Sequence, residues 1–135
     1  MTFALALLLS FADLAAVKAE PDLEKRSDAA LEFANDAIDQ ARTAYGSGDL
    51  ARTQAALAAV QESVELSYDS LRASGKKPRN SKSYKHAEQK IHAMIRRLHT
   101  LQESMAVEDR PVVETAVKKL QEINDEVLSD VMTKK

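Results

Sequence analysis

The sequence predicts an all-α protein, folded as an antiparallel up-down-up-down four-helix bundle. Three observations carry this. Apolar residues recur at alternating three- and four-residue steps through four separate stretches, the spacing that lines one face of a helix. Only three glycines and three prolines occur in 135 residues, so turns are few and long uninterrupted helices are favoured. Charged residues make up 30% and apolar residues 44%, a balance that suits one folded domain and not a disordered tail.

The first stretch predicts a helix over about 22–45, with Ala30, Ala34, Ala37, Ala41 and Ala44 on one face and Phe33, Ile38 and Tyr45 beside them. Asp22 and Glu24 at its start suit the positive end of the helix dipole. Gly46-Ser47-Gly48-Asp49 then predicts a tight turn, with Ser47 or Asp49 available to cap the next helix. That second helix is predicted over 49–73, its stripe running Leu50, Thr53, Leu57, Val60, Val64, Ser67 or Tyr68, and Leu71. Two helices joined so tightly must be antiparallel.

Residues 75–81, which include Pro78, read as a true linker, and Ser81 or Ser83 can cap a third helix over 82–105. Its stripe of Tyr84, Ala87, Ile91, Met94, Leu98, Leu101 and Met105 is the cleanest heptad in the chain. Asp109 and Pro111 mark the start of a fourth helix over 109–132, with Val113, Ala116, Leu120, Ile123, Val127 and Val131 inward and Val117 and Leu128 beside them. Small and aliphatic seams predict close packing without a large internal cavity.

Residues 1–19 read as a signal peptide. Phe3 to Ala12 is apolar apart from Ser10, and Val17 and Ala19 supply the small residues that precede a cleavage site, although no Lys or Arg stands before the apolar run. The expectation is export, with a periplasmic or secreted mature domain spanning 20–135. An apolar run this short falls below the ~20 residues of a membrane span, so no transmembrane segment is expected in the mature form.

The absence of cysteine excludes disulfides, thiolate catalysis, Cys-ligated zinc and c-type haem attachment. A net charge of −2 argues against a general nucleic-acid binder. The charge is unevenly spread, however: −6 over residues 20–75, +7 over 76–97 and −3 over 98–135. Within Lys76 to Lys90, six of fifteen residues are Lys or Arg and only Glu88 is acidic. Lys82 and Lys85 fall in the first turn of the third helix, where cations cost about 0.3 to 1 kcal/mol each relative to anions. Lys76, Lys77, Arg79, Lys82 and Lys85 are therefore the candidate anion- or partner-binding residues, set against the plainer reading of a solvated joint. Bundle topology would gather them at one pole with Lys25, Arg26, Lys134 and Lys135.

No other constellation carries chemistry. His86, His92 and His99 share one helix; Glu88, His92, His99 and Glu103 lie along one side of it, but Arg96 stands within that stripe and opposes a metal. Met94 and Met105 fit the seam as core residues better than as haem ligands. Gly-rich phosphate loops and paired carboxylates across a cleft are not apparent. No catalytic residue, metal or cofactor is expected.

Residues 41–60, ARTAYGSGDLARTQAALAAV, resemble a single tetratricopeptide-type hairpin in Ala41, Ala44, the Gly48-Asp49 turn, Leu57 and Val60. In its leader, alanine-rich first hairpin, KKPRNSKSYKHAEQKI joint and VEDRPVVETAVKKLQEINDEVLSDVM final helix, the chain is similar to exported bacterial helical-bundle proteins of unassigned function. That resemblance implies a fold and a compartment and no activity. The reading is a non-enzymatic binding protein docking an acidic protein or anionic lipid surface through its basic pole. The alternative is a haem, metal or small-ligand carrier with a site inside the bundle.

Overall fold

The structure, a computed structural model, describes residues 14–133. They are helical over 14–19 (α1), Leu23–Gly46 (α2), Leu50–Ala73 (α3), Lys82–Ser104 (α4) and Pro111–Thr133 (α5), with short 3-10 turns at Pro78–Asn80 and Val107–Asp109. The four long helices match the four periodic stretches to within about two residues at each end. At ~1.5 Å rise per residue each is roughly 35 Å long.

Capping chemistry sets their starts. The Asp22 carboxylate accepts from the Glu24 and Lys25 amides at 3.0 and 3.1 Å. Asp49 rather than Ser47 caps α3, accepting from Arg52 N at 3.0 Å, and Ser81 rather than Ser83 caps α4, accepting from Tyr84 N at 3.2 Å. Each satisfies backbone donors that have no partner inside the helix. After α2, Gly48 takes φ +77°, a left-handed conformation that a side chain disfavours, and Asp49 N returns to Ala44 O at 2.9 Å.

The helices pack as two hairpins, α2 with α3 and α4 with α5, stacked so that α2 also lies on α4 and α3 on α5. Although consecutive in sequence, α3 and α4 touch only slightly. The linker between them must therefore cross the end of the bundle, and its 3-10 turn is seated on α5 on the way.

Backbone contact is densest between α2 and α3. The composition of the seam explains it: Ala30, Ala34, Ala37, Ala41 and Ala44 face Thr53, Ala56, Val60, Ser63 and Ser67, all buried. Small side chains let two backbones approach, and the hydroxyls buried with them are satisfied. Ser27 and Ser67 share a hydrogen bond at 2.7 Å across the seam. Thr53 Oγ1 donates to Asp49 O and Ser63 Oγ to Ala59 O within α3, the backbone bonding open to Ser and Thr in helices. Replacing Ala34 by Leu should overfill this seam and cost about 1–3 kcal/mol. Glu32→Leu, on the exposed side of the same helix, should stay within about 0.5 kcal/mol; equal denaturation midpoints for the two variants would contradict close packing here.

Larger side chains fill the rest of the core: Leu31, Ile38, Leu57, Leu71, Ile91, Met94, Leu98 and Leu120 are fully buried. Of the residues expected on or beside the stripes, Phe33, Tyr45 and Val131 are half-buried, and Leu50 and Leu128 are exposed. Leu50 opens α3 at its outer end, and Leu128 is turned about 100° from Val127 and faces solvent.

The expected signal peptide lies mostly outside the described residues. Of it, α1 is described: Leu14 is buried, and Lys18 pairs with Glu62 of α3 at 3.0 Å. Lys134 and Lys135, expected at the basic pole, also lie outside. Among the described residues no helix is long and apolar enough to cross a membrane.

Candidate functional site

Contacts at one end of the bundle bring the start of α2, the linker and the start of α4 together. Glu24, in the first turn of α2, accepts from Ser83 Oγ of α4 at 2.6 Å and stands 3.8 Å from Lys76 Nζ of the linker. Asp28, one turn on, stands 3.9 Å from His86 Nε2. Two acids of the acidic helix thus face the edge of the basic block.

They reach only part of it. Of the five candidate residues, Lys76 has Glu24 as a partner; Lys77, Arg79, Lys82 and Lys85 make no ion pair among the described residues. Lys77 and Arg79 flank Pro78 on the linker. Lys82 and Lys85 occupy the first turn of α4, where the positive end of the helix dipole adds to their charge. Further along α4 the basic block has a structural use: Arg97 spans to α2, donating to Asn35 Oδ1 at 2.7 Å and pairing with Asp39. His99 is exposed on the same helix. Among the described residues no three His, Cys, Asp or Glu side chains stand close enough to hold a metal.

Beside the basic edge lies a cleft of about 460 Å³ that the helical periodicity does not predict, lined by Tyr68, Arg72, Pro78, Tyr84, Glu126 and Asp130. Helical spacing organises its walls. Tyr68 and Arg72 are one turn apart on α3, and Glu126 and Asp130 one turn apart on α5. Pro78 and Tyr84 close it from the linker and α4. Tyr68 donates to Asp130 Oδ2 at 2.7 Å, and the Arg72 guanidinium carbon sits 5.5 Å from the centre of the Tyr68 ring.

Only the fold brings these residues together, because 62 positions separate Tyr68 from Asp130. The sequence nonetheless carries one signal for them. Tyr68, Tyr84 and Asp130 all lie close in sequence to chain segments expected at the same pole, which gathers two of the three tyrosines of the chain there.

Burial raises the Tyr68 phenol well above its ordinary value of 10.0, and the hydrogen bond to Asp130 and the charges of Asp130 and Glu126 push the same way, against Arg72. Tyr84 is also raised, first by burial and then by the Asp130 charge. At the other end of the bundle Tyr45 receives a bond from Ala106 N that pulls its pKa down; its bond to Asp109 at 2.8 Å, with burial and the charges of Asp109 and Glu108, outweighs this and leaves it raised.

A folded-state pKa above the unfolded one gives stability that is complete below about pH 10, the unfolded value, and is lost as pH climbs toward the folded value. Tyr68→Phe should therefore be less stable than the parent by about 1 kcal/mol near neutrality, with the gap narrowing above about pH 10. Denaturation midpoints of both proteins across that range provide the check; a gap that widens would show that the phenol is not held neutral.

No protein family, curated protein or solved structure matches the chain.

Proposed function

We propose that this is an exported, non-enzymatic helical-bundle protein that binds an anionic surface, either lipid headgroups or an acidic protein, through Lys76, Lys77, Arg79, Lys82 and Lys85. The observation that carries it is the edge formed by the linker and the first turn of α4. There four cations remain without ion pairs among the described residues, while Glu24 and Asp28 are engaged by Ser83, Lys76 and His86. Cations placed against a helix dipole are unfavourable for the isolated fold and favourable once an anion sits opposite them.

Export, with cleavage before Glu20 and a periplasmic or secreted location, belongs to the same proposal and rests on the leader alone. For the architecture, the reading is an up-down-up-down chain course in which the two hairpins stack in the same sense. Its support is that Arg97 of α4 meets Asp39 of α2, each about two thirds of the way along its helix, while Tyr68 and Asp130 meet near the C-terminal ends of α3 and α5.

Flotation with phosphatidylglycerol vesicles against phosphatidylcholine vesicles, and retention on heparin, test the docking edge and separate a lipid from a general anionic partner. Vesicle and heparin binding that is absent, or that survives glutamine at all five positions, would remove the proposal.

A further inference from the structure

The cleft between α3, α4, α5 and the linker has a charge pattern that the docking edge does not share. Asp130 has one oxygen committed to Tyr68, and Glu126 is exposed to solvent. Arg72 shares the cleft with both carboxylates yet forms an ion pair with neither; its guanidinium lies over the Tyr68 ring instead. The decisive residue is Tyr84. It is buried, with a relative exposure of 2%, it lines the cleft, and its hydroxyl has no hydrogen-bond partner among the described residues. Its ring is held in the core while its hydroxyl stays open to the cleft, where a ligand can take it as a hydrogen-bond donor.

These groups narrow the class of occupant. A purely anionic ligand would meet Glu126 and Asp130. A purely cationic one would meet Arg72. A ligand carrying both charges on one carbon is attracted by every charged wall and offers the Tyr84 hydroxyl an acceptor. The volume of about 460 Å³ falls within the ~300–1,000 Å³ typical of small-molecule sites. The geometry points to a binding site for a free α-amino acid, its ammonium between Glu126 and Asp130 and its carboxylate on Arg72 and the Tyr84 hydroxyl. This site is distinct from the anionic docking edge and does not depend on it.

The test uses the full chain. Thermal shift with each of the twenty standard L-amino acids at millimolar concentration should identify at least one that stabilises the fold, since a ligand that binds only the native state raises its melting temperature. For that amino acid, calorimetry against its amide, which lacks the carboxylate, and its deaminated acid, which lacks the ammonium, should show each half-ligand binding at least about tenfold more weakly. Arg72→Gln should weaken the amino acid by about tenfold and leave the amide unchanged, and Glu126→Gln with Asp130→Asn should weaken the amino acid and leave the deaminated acid unchanged. Tyr84→Phe, which keeps the ring in the core, should weaken the amino acid by a few fold. No binder among the twenty, a half-ligand that binds as tightly as the amino acid, or wall variants without effect would each overturn the inference. The half-ligand comparison needs no variant, so it stands even if a substitution perturbs folding.

Discussion

Replacing Lys76, Lys77, Arg79, Lys82 and Lys85 together by glutamine is expected to abolish binding to anionic vesicles and heparin without unfolding the protein. A basic side chain near an anionic membrane is worth about 1 kcal/mol, so five substitutions predict a loss on the order of a thousandfold. The effect should be graded. Lys76 already faces Glu24 at 3.8 Å and should contribute least, whereas Lys82 and Lys85, backed by the α4 dipole, should contribute most. Binding should also weaken as salt is raised from about 0.05 to 0.3 M, because exposed charges are screened over a Debye length of roughly 10 Å. Stability should move the other way: relieving four unpaired like charges, two on the linker and two in the first turn of α4, should leave the denaturation midpoint unchanged or slightly higher. A variant that loses vesicle binding only because its midpoint has collapsed would speak for a structural role, and circular dichroism with a denaturant titration separates the two.

Leu98→Ala should give the largest single-site loss of stability. Leu98 has 0% exposure and sits in the apolar seam of α4 among Met94, Ile95 and Leu101. The substitution improves helix propensity, so the whole cost arises from packing: about 3 kcal/mol, from lost transfer energy and the cavity left behind. Long helices held at both ends cannot close such a void. Against a total of about 5–15 kcal/mol this is a large fraction, and the melting temperature should fall by roughly 10 °C. Leu128→Ala makes the same chemical change at a position 40% exposed and should cost about 0.5 kcal/mol or less. Comparable losses at the two sites would mean that α5 is rotated from the orientation described.

The helices themselves were legible because their signals are local. Three- and four-residue spacing identifies the inward face, and Asp22, Asp49 and Ser81 satisfy amides two or three residues ahead of them. Met94 and Met105 could be assigned to the core on the same ground, and both are buried. Leu128 could not be told from Val117 by spacing. Both lie beside the stripe on α5, and only the neighbouring helices decide which is covered. The basic edge was also legible as a charge run, but its division into a paired Lys76 and four unpaired cations depended on where Glu24 and Asp28 of another helix came to rest.

The cleft was least legible. Its six lining residues come from three helices and the linker, and their meeting depends on α3 lying on α5 while α4 is placed across the bundle. A linker of residues 74–81 is compatible with several placements of the second hairpin, and no periodicity within a helix encodes which neighbour its face will meet. What the sequence determined by itself was the set of four amphipathic helices, their caps and the concentration of positive charge between the second and third of them, all consequences of interactions within a few residues. Tertiary structure alone decided that α2 lies on α4, that Arg97 finds Asn35 and Asp39, and that Tyr68, Arg72, Tyr84, Glu126 and Asp130 surround one cleft. Those outcomes depend on the joint packing of small and large side chains across helices distant in sequence, where the cost of a void or an overlap selects one arrangement.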